Sequence, residues 1–173
     1  MADMLVRLYA LPEIGELRER LNDEQIYVRR ADTGEMWQIP KWVTEQFNAS
    51  WAAGSQWSIA RDPISCFVAV ERLPVTAESD DPYDNVPPER LIGFACYDAA
   101  GKGIFGALGV HRDYRRRGIG RLLTVRALEA MREEGYVYGV IGWAGDPEFY
   151  ANAVGATIIE GSEPGSFVKR LVV

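Results

Sequence analysis

The chain has a single histidine, His111, and only two cysteines, Cys66 and Cys96. One histidine without a Gly-x-Ser-x-Gly elbow gives no support to a Ser-His-Asp hydrolase. No His/Cys cluster has the spacing of a zinc site. Both cysteines lie inside apolar runs, which reads as two buried, reduced thiols. The pattern Gly-x4-Gly-Lys-Ser/Thr is missing, so nucleotide hydrolysis has no phosphate loop to use. Gly118 and Gly120 form a Gly-x-Gly, but the third glycine of the dinucleotide fingerprint is absent and the motif sits mid-chain. No apolar run approaches the roughly 20 residues that span a bilayer. The start, Met1-Ala2-Asp3, has neither a charged leader nor a long apolar segment. No signal peptide is expected, and the cytoplasm is the default location. A net charge of −6 argues against broad binding to nucleic acid or anionic membrane.

What the chain does have is an ordinary globular composition: 173 residues, 47% apolar and 25% charged. One domain over residues 1–173, with a full core, is expected. Ile14, Leu17 and Leu21 at helical spacing predict a short amphipathic helix over Pro12–Leu21, within an N-terminal helical extension of residues 1–25. Ile26-Tyr27-Val28 reads as a short strand. Trp37–Phe47 and Ser50–Ala60 read as helices parted near Asn48, and Trp42, Val43, Phe47 and Trp51 form one apolar stripe. Such a stripe serves a core more often than a ligand box. Cys66–Val70, Leu91–Tyr97, Ile104–Val110 and Val137–Trp143 are four nearly continuous apolar runs. Continuous runs predict strands covered on both faces. Ala99-Ala100-Gly101-Lys102 offers a short connection between the second and third. Residues 74–90, rich in proline and acid, predict an exposed acidic loop. Ala156–Ile159 and Phe167–Val173 read as closing strands.

The densest signal lies between Arg112 and Arg121, which hold five arginines and one acid on an acidic chain. The apolar run Ile104–Val110 precedes this basic island. Ile119, Leu122, Leu123, Ala127, Ala130 and Met131 follow it at helical spacing. Strand, basic turn and helix N-terminus in that order make an anion site. Further on, Asp146-Pro147-Glu148 has the character of a helix start and Gly155 of its end.

Two segments carry a family resemblance. Arg115, Gly118 and Gly120 meet an Arg/Gln-x-x-Gly-x-Gly/Ala pattern, and Phe149-Tyr150 followed by Gly155 makes an aromatic-Tyr segment. Together, in this order and separation, they resemble the GNAT family of N-acetyltransferases. Element order matches from about Ile26 onward. The resemblance implies a mixed α/β acyl-CoA N-acyltransferase fold, with a mostly antiparallel central sheet splayed at the cofactor site and flanked by helices. It implies acetyl-CoA, or another acyl-CoA, as co-substrate, and without a His/Cys cluster no metal is expected. Backbone amides across Arg116, Arg117, Gly118, Ile119, Gly120 and Arg121 would hold the pyrophosphate, with Arg115 at the motif position. Arg116, Arg117 and Arg121 could also reach the pyrophosphate or 3′-phosphate. Backbone groups of Leu108, Gly109 and Val110 would pair with the pantetheine arm. Tyr150 would be the general acid, since a phenol with a pKa near ~10 stays protonated. The base is open among His111, Asp98, Glu71 and water. A small-molecule amine is the expected acceptor, a homodimer is compatible with the resemblance, and no nucleic acid or membrane partner is expected. A protein or peptide N-acetyltransferase and a non-catalytic CoA-binding sensor are the alternatives. Where many relatives carry Asn-x-x-Ala before the tyrosine, this chain has Trp143-Ala144-Gly145-Asp146.

Overall fold

Seven strands form one sheet in the order β2-β3-β4-β5-β6-β1-β7 in the computed structural model, which describes residues 1–75 and 86–166. The strands are β1 (Met4–Arg7), β2 (Ile26–Arg30), β3 (Cys66–Arg72), β4 (Glu89–Tyr97), β5 (Ile104–Val110), β6 (Tyr138–Ile141) and β7 (Thr157–Ile158). Every neighbouring pair is antiparallel except β5 with β6. The helices are α1 (Gly15–Asp23), α2 (Gln38–Gln46), α3 (Ala49–Ile59), α4 (Ile119–Glu133) and α5 (Pro147–Val154). The expected mixed α/β fold is what forms.

Two cores sit on opposite faces of the sheet. On one, α1, α4 and α5 bury Leu21, Leu122, Leu123, Leu128 and Val154 against Ile26, Phe67, Ile92 and Phe105. On the other, α2 and α3 bury Ile39, Val43 and Ile59 against Cys66, Val68, Phe94 and Cys96. Strands β3 and β4 are therefore covered twice, as their unbroken apolar runs predicted. Strand β6 is not: Tyr138 is exposed and Val140 half-buried, so its apolar run overstated its burial. Leu123 lies directly on β4, its Cδ1 3.1 Å from where a Cβ on Gly93 would stand. Leu123→Ala should lower stability by about 2–5 kcal/mol, because the cavity forms under a close-packed strand. Urea unfolding would read this as a lower midpoint at unchanged slope.

At the expected break near Asn48, the Asn48 side chain caps α3 by accepting from Trp51 N at 2.9 Å. Asp146 likewise caps α5, with Pro147 in its first turn and Gly155 (φ +64°) closing it. Two expectations need correction. The N-terminal helix covers Gly15–Asp23 rather than Pro12–Leu21. The N-terminal extension is also not purely helical, because β1 lies between β6 and β7. Four residues, with only Met4 and Val6 buried, give too short an alternation to be legible. Most of the 74–90 loop and the Phe167–Val173 strand lie outside the described residues. Among the described residues, no helix is long and apolar enough to cross a membrane.

Candidate active site

The sheet opens beside β5. Ile104 and Phe105 pair with Val140 and Ile141, and Gly142 N donates to Phe105 O at 3.3 Å. Beyond Phe105 the two strands share no further pairing, while β5 stays bonded to β4 up to Val110. Gly106 at the start of the gap has φ +136°, a conformation side chains resist. A register irregularity in β4 between Ala95 and Tyr97 accompanies the change. Past it, Ala107 packs toward α2 and α3, whereas Leu108 and Val110 pack toward α4.

Antiparallel alternation decides which backbone groups face the gap. His111 N donates to Ile92 O of β4, and Gly109 sits opposite Phe94. Leu108 and Val110 therefore turn their amides and carbonyls away from β4, toward the open side. Gly109 turns toward β4 and has another use. A Cβ there would lie 2.5 Å from Phe47 Cζ, so the glycine is what lets the Phe47 ring lie on the strand. Of the three β5 residues expected to pair with a ligand, the register presents Leu108 and Val110. Val110 O already accepts from Arg115 Nε at 3.0 Å.

The gap leads to the first turn of α4. The first helical bond there runs from Leu122 N to Gly118 O, so the amides of Ile119, Gly120 and Arg121 have no acceptor within the helix. Gly118 takes φ +90° and Arg116 φ +62°, folding the turn back over the helix end. The arginines divide into two groups. Arg115 and Arg117 brace the turn: Arg115 holds Val110 O, while Arg117 pairs with Glu24, the C-cap of α1, and lies 5.5 Å over the Tyr114 ring. Arg20 adds a 2.7 Å bond to Arg117 O. The Arg117 bond holds the Glu24 carboxyl below its usual range. Arg116 and Arg121 are exposed and make no ion pair among the described residues. They are the side chains left to meet an anion.

Tyr150 stands at the other end of the gap. Its ring packs edge-on to Phe105, the last β5 residue paired with β6, at 6.2 Å, and to Phe149 at 4.9 Å. Its hydroxyl makes no hydrogen bond among the described residues. Burial, with the Asp146 charge second, pushes the phenol up to about 12. The gap thus has free helix amides with two exposed arginines at one end, and at the other a phenol without a hydrogen bond among the described residues.

The base candidates are occupied. Asp98 lies at the β4–β5 turn, at the end of β5 away from Val110. It accepts from Gly103 N and Tyr136 Oη at 2.7 Å each and pairs with Arg61 at 3.2 Å. Glu71 accepts from Tyr114 Oη at 2.7 Å and Arg90 at 2.9 Å. His111 caps a short turn, with Nδ1 accepting from Asp113 N at 3.4 Å. On the α2/α3 face of β5, the predicted apolar stripe becomes a ring cluster. Phe47 lies 5.8 Å from Trp42 and 5.4 Å from Trp51, and Phe94 joins all three.

A mixed sheet that parts between two parallel strands, beside a helix N-terminus, defines the class of the acyl-CoA N-acyltransferase folds. More specifically, the family model described as "Acetyltransferase (GNAT) family" matches residues 36–154, and the chain belongs to that family. Among solved structures, it is similar to a GCN5-related glucosamine N-acetyltransferase region of a fungal multi-domain beta-N-acetylglucosaminidase. That match has TM-score 0.66 and 18% identity, over 91% of this chain and 19% of the other. A GCN5-related N-acetyltransferase from Sphaerobacter thermophilus matches with TM-score 0.62 and 23% identity, over 91% and 48%. One from Kribbella flavida gives TM-score 0.55 and 17% identity, over 91% and 53%. The chain thus spans about half or less of the solved chains first matched. No curated protein matches it.

Proposed function

We propose that the chain transfers an acetyl group from acetyl-CoA to the primary amine of a small molecule. The carrying observation is the gap itself, whose length joins the free amides of α4 to the Tyr150 phenol. In this reading, the amides of Ile119, Gly120 and Arg121, aided by Arg116 and Arg121 side chains, hold the pyrophosphate. Leu108 and Val110 bond the pantetheine arm as an added strand. The thioester then lies near Phe105. The amine nitrogen attacks its carbonyl carbon from the ring-lined α2/α3 face, the C–S bond breaks, and the thiolate takes the Tyr150 proton. With Asp98, Glu71 and His111 engaged elsewhere, the amine proton leaves through water.

Calorimetry against acetyl-CoA, ATP and NAD tests the first step. Binding of acetyl-CoA alone is expected, and a silent acetyl-CoA trace would overturn the proposal. A panel of small amines and lysine peptides, read by thiol release, tests the second. Faster release with small amines is expected. Preference for peptides would move the acceptor to protein, and CoA binding without turnover on any amine would make the chain a sensor.

A further inference from the structure

Trp143 occupies an unusual conformation for a large side chain, with φ +51°. Left-handed backbone is strained for a non-glycine residue. Trp143 lies between the end of β6 and the cap of α5, on the segment that delivers Tyr150. Something must hold it there, and the holding groups come from the other end of the chain. Asp3 is a carboxylate only 7% exposed. Its Oδ1 accepts from Trp143 N at 2.9 Å. Its Oδ2 accepts from Ser166 Oγ at 2.9 Å and Ser166 N at 3.2 Å. Next to it, Ala2 O accepts from Ala144 N at 3.1 Å. On the far side, the Trp143 indole donates to Pro164 O at 2.5 Å.

A buried carboxylate surrounded by neutral donors is expensive when only structure is needed. Here it fixes both segments at once, because a carboxylate accepts several strong bonds. We propose that Asp3 is a positioning residue for Tyr150. It clamps Trp143 in its strained conformation, and this fixes Asp146, whose Oδ1 caps α5 at Phe149 N with a 3.0 Å bond. The phenol is thereby held against Phe105. This inference rests on the assignment of Tyr150 as the general acid.

Three variants test it: Asp3→Ala, Trp143→Asn and the double variant. Asparagine tolerates left-handed backbone, so the segment then needs less clamping. Asp3→Ala is expected to lower kcat about 10–100-fold with the KM for acetyl-CoA within threefold. In the Trp143→Asn background the same change is expected to cost less than threefold. Equal costs in both backgrounds, or wild-type kcat for Asp3→Ala, would overturn the proposal. Hydrogen exchange is the readout that needs no turnover. Amides 143–150 should exchange at least about tenfold faster in Asp3→Ala while those of β3 and β4 keep their protection. Unchanged exchange at 143–150, or loss of protection throughout, would overturn it as well. Wild-type protein that acetylates no amine would instead defeat the functional reading, and the exchange result would still decide whether Asp3 is the clamp.

Discussion

Tyr150→Phe should lower kcat by about 10²–10⁴-fold while leaving acetyl-CoA affinity nearly unchanged. A positioned general acid contributes on that scale. Phenylalanine keeps the ring that packs on Phe105 and Phe149 and removes only the hydroxyl, which makes no bond among the described residues. Stability should therefore be preserved, and the variant separates chemistry from packing. Burial first, and Asp146 second, push the phenol up to about 12, so it remains a proton donor across the working range. The rate should consequently show no falling limb from this group below about pH 11. Stability follows the same sign. A raised folded-state pKa costs nothing below the unfolded value near ~10. The stabilisation is lost as pH climbs from there toward 12, where Tyr97, pushed up to about 12 mainly by burial, adds to the loss. Activity lost in that window should therefore track unfolding, seen by circular dichroism at each pH. Unchanged turnover in Tyr150→Phe would remove the residue from the mechanism.

The second large effect is expected at Gly120. A Cβ there would lie 3.5 Å from Phe149 Cζ and 3.8 Å from Val110 Cγ2, ordinary contacts. A larger side chain would extend into the space between the end of β5 and α5. Gly120→Val should thus leave the free protein folded and weaken acetyl-CoA binding on the order of 100-fold, about 2.7 kcal/mol. Arg116→Ala removes one exposed charge and should cost under tenfold. Calorimetry in low and high salt would rank the two, and the reverse order would mean that side chains rather than backbone carry the affinity. Gly118 is less discriminating. Its φ of +90° and a Cβ position 2.7 Å from Leu17 Cδ1 mean that any replacement also distorts the turn.

The parts of this architecture visible in the sequence are those that local chemistry encodes. Ile104–Val110 was readable to the residue because an apolar run ended in a charged turn. The α4 face, the break near Asn48, the Asp146 cap and the arginine turn were legible for similar reasons. What escaped was long-range. Nothing near Asp3 foretells a bond to Trp143, and a four-residue strand carries too little alternation to declare itself. The split of the arginines was hidden as well, since it depends on Glu24 and Arg20 reaching the turn from α1. An Arg20–Glu24 pair at i, i+4 spacing reads as ordinary helix support. Asp98 looked available as a base because its partners, Gly103 N, Tyr136 and Arg61, gather only when the β4–β5 turn closes.

The placement of β1 has a consequence for how the chain acquires its shape during synthesis. Met4 pairs with Ile141 on one side and Ile158 on the other. Both partners leave the ribosome long after Met4; at about 5–20 residues per second the delay is on the order of ten seconds. The antiparallel strands β2-β3-β4-β5 can pair meanwhile, but β1 must wait as an unpaired apolar strand. Joining ends so distant in sequence raises contact order and slows the final step. The gap beside β5 therefore acquires its second wall late, and the Tyr150 segment, tied to Asp3, is among the last parts of the molecule to find its place.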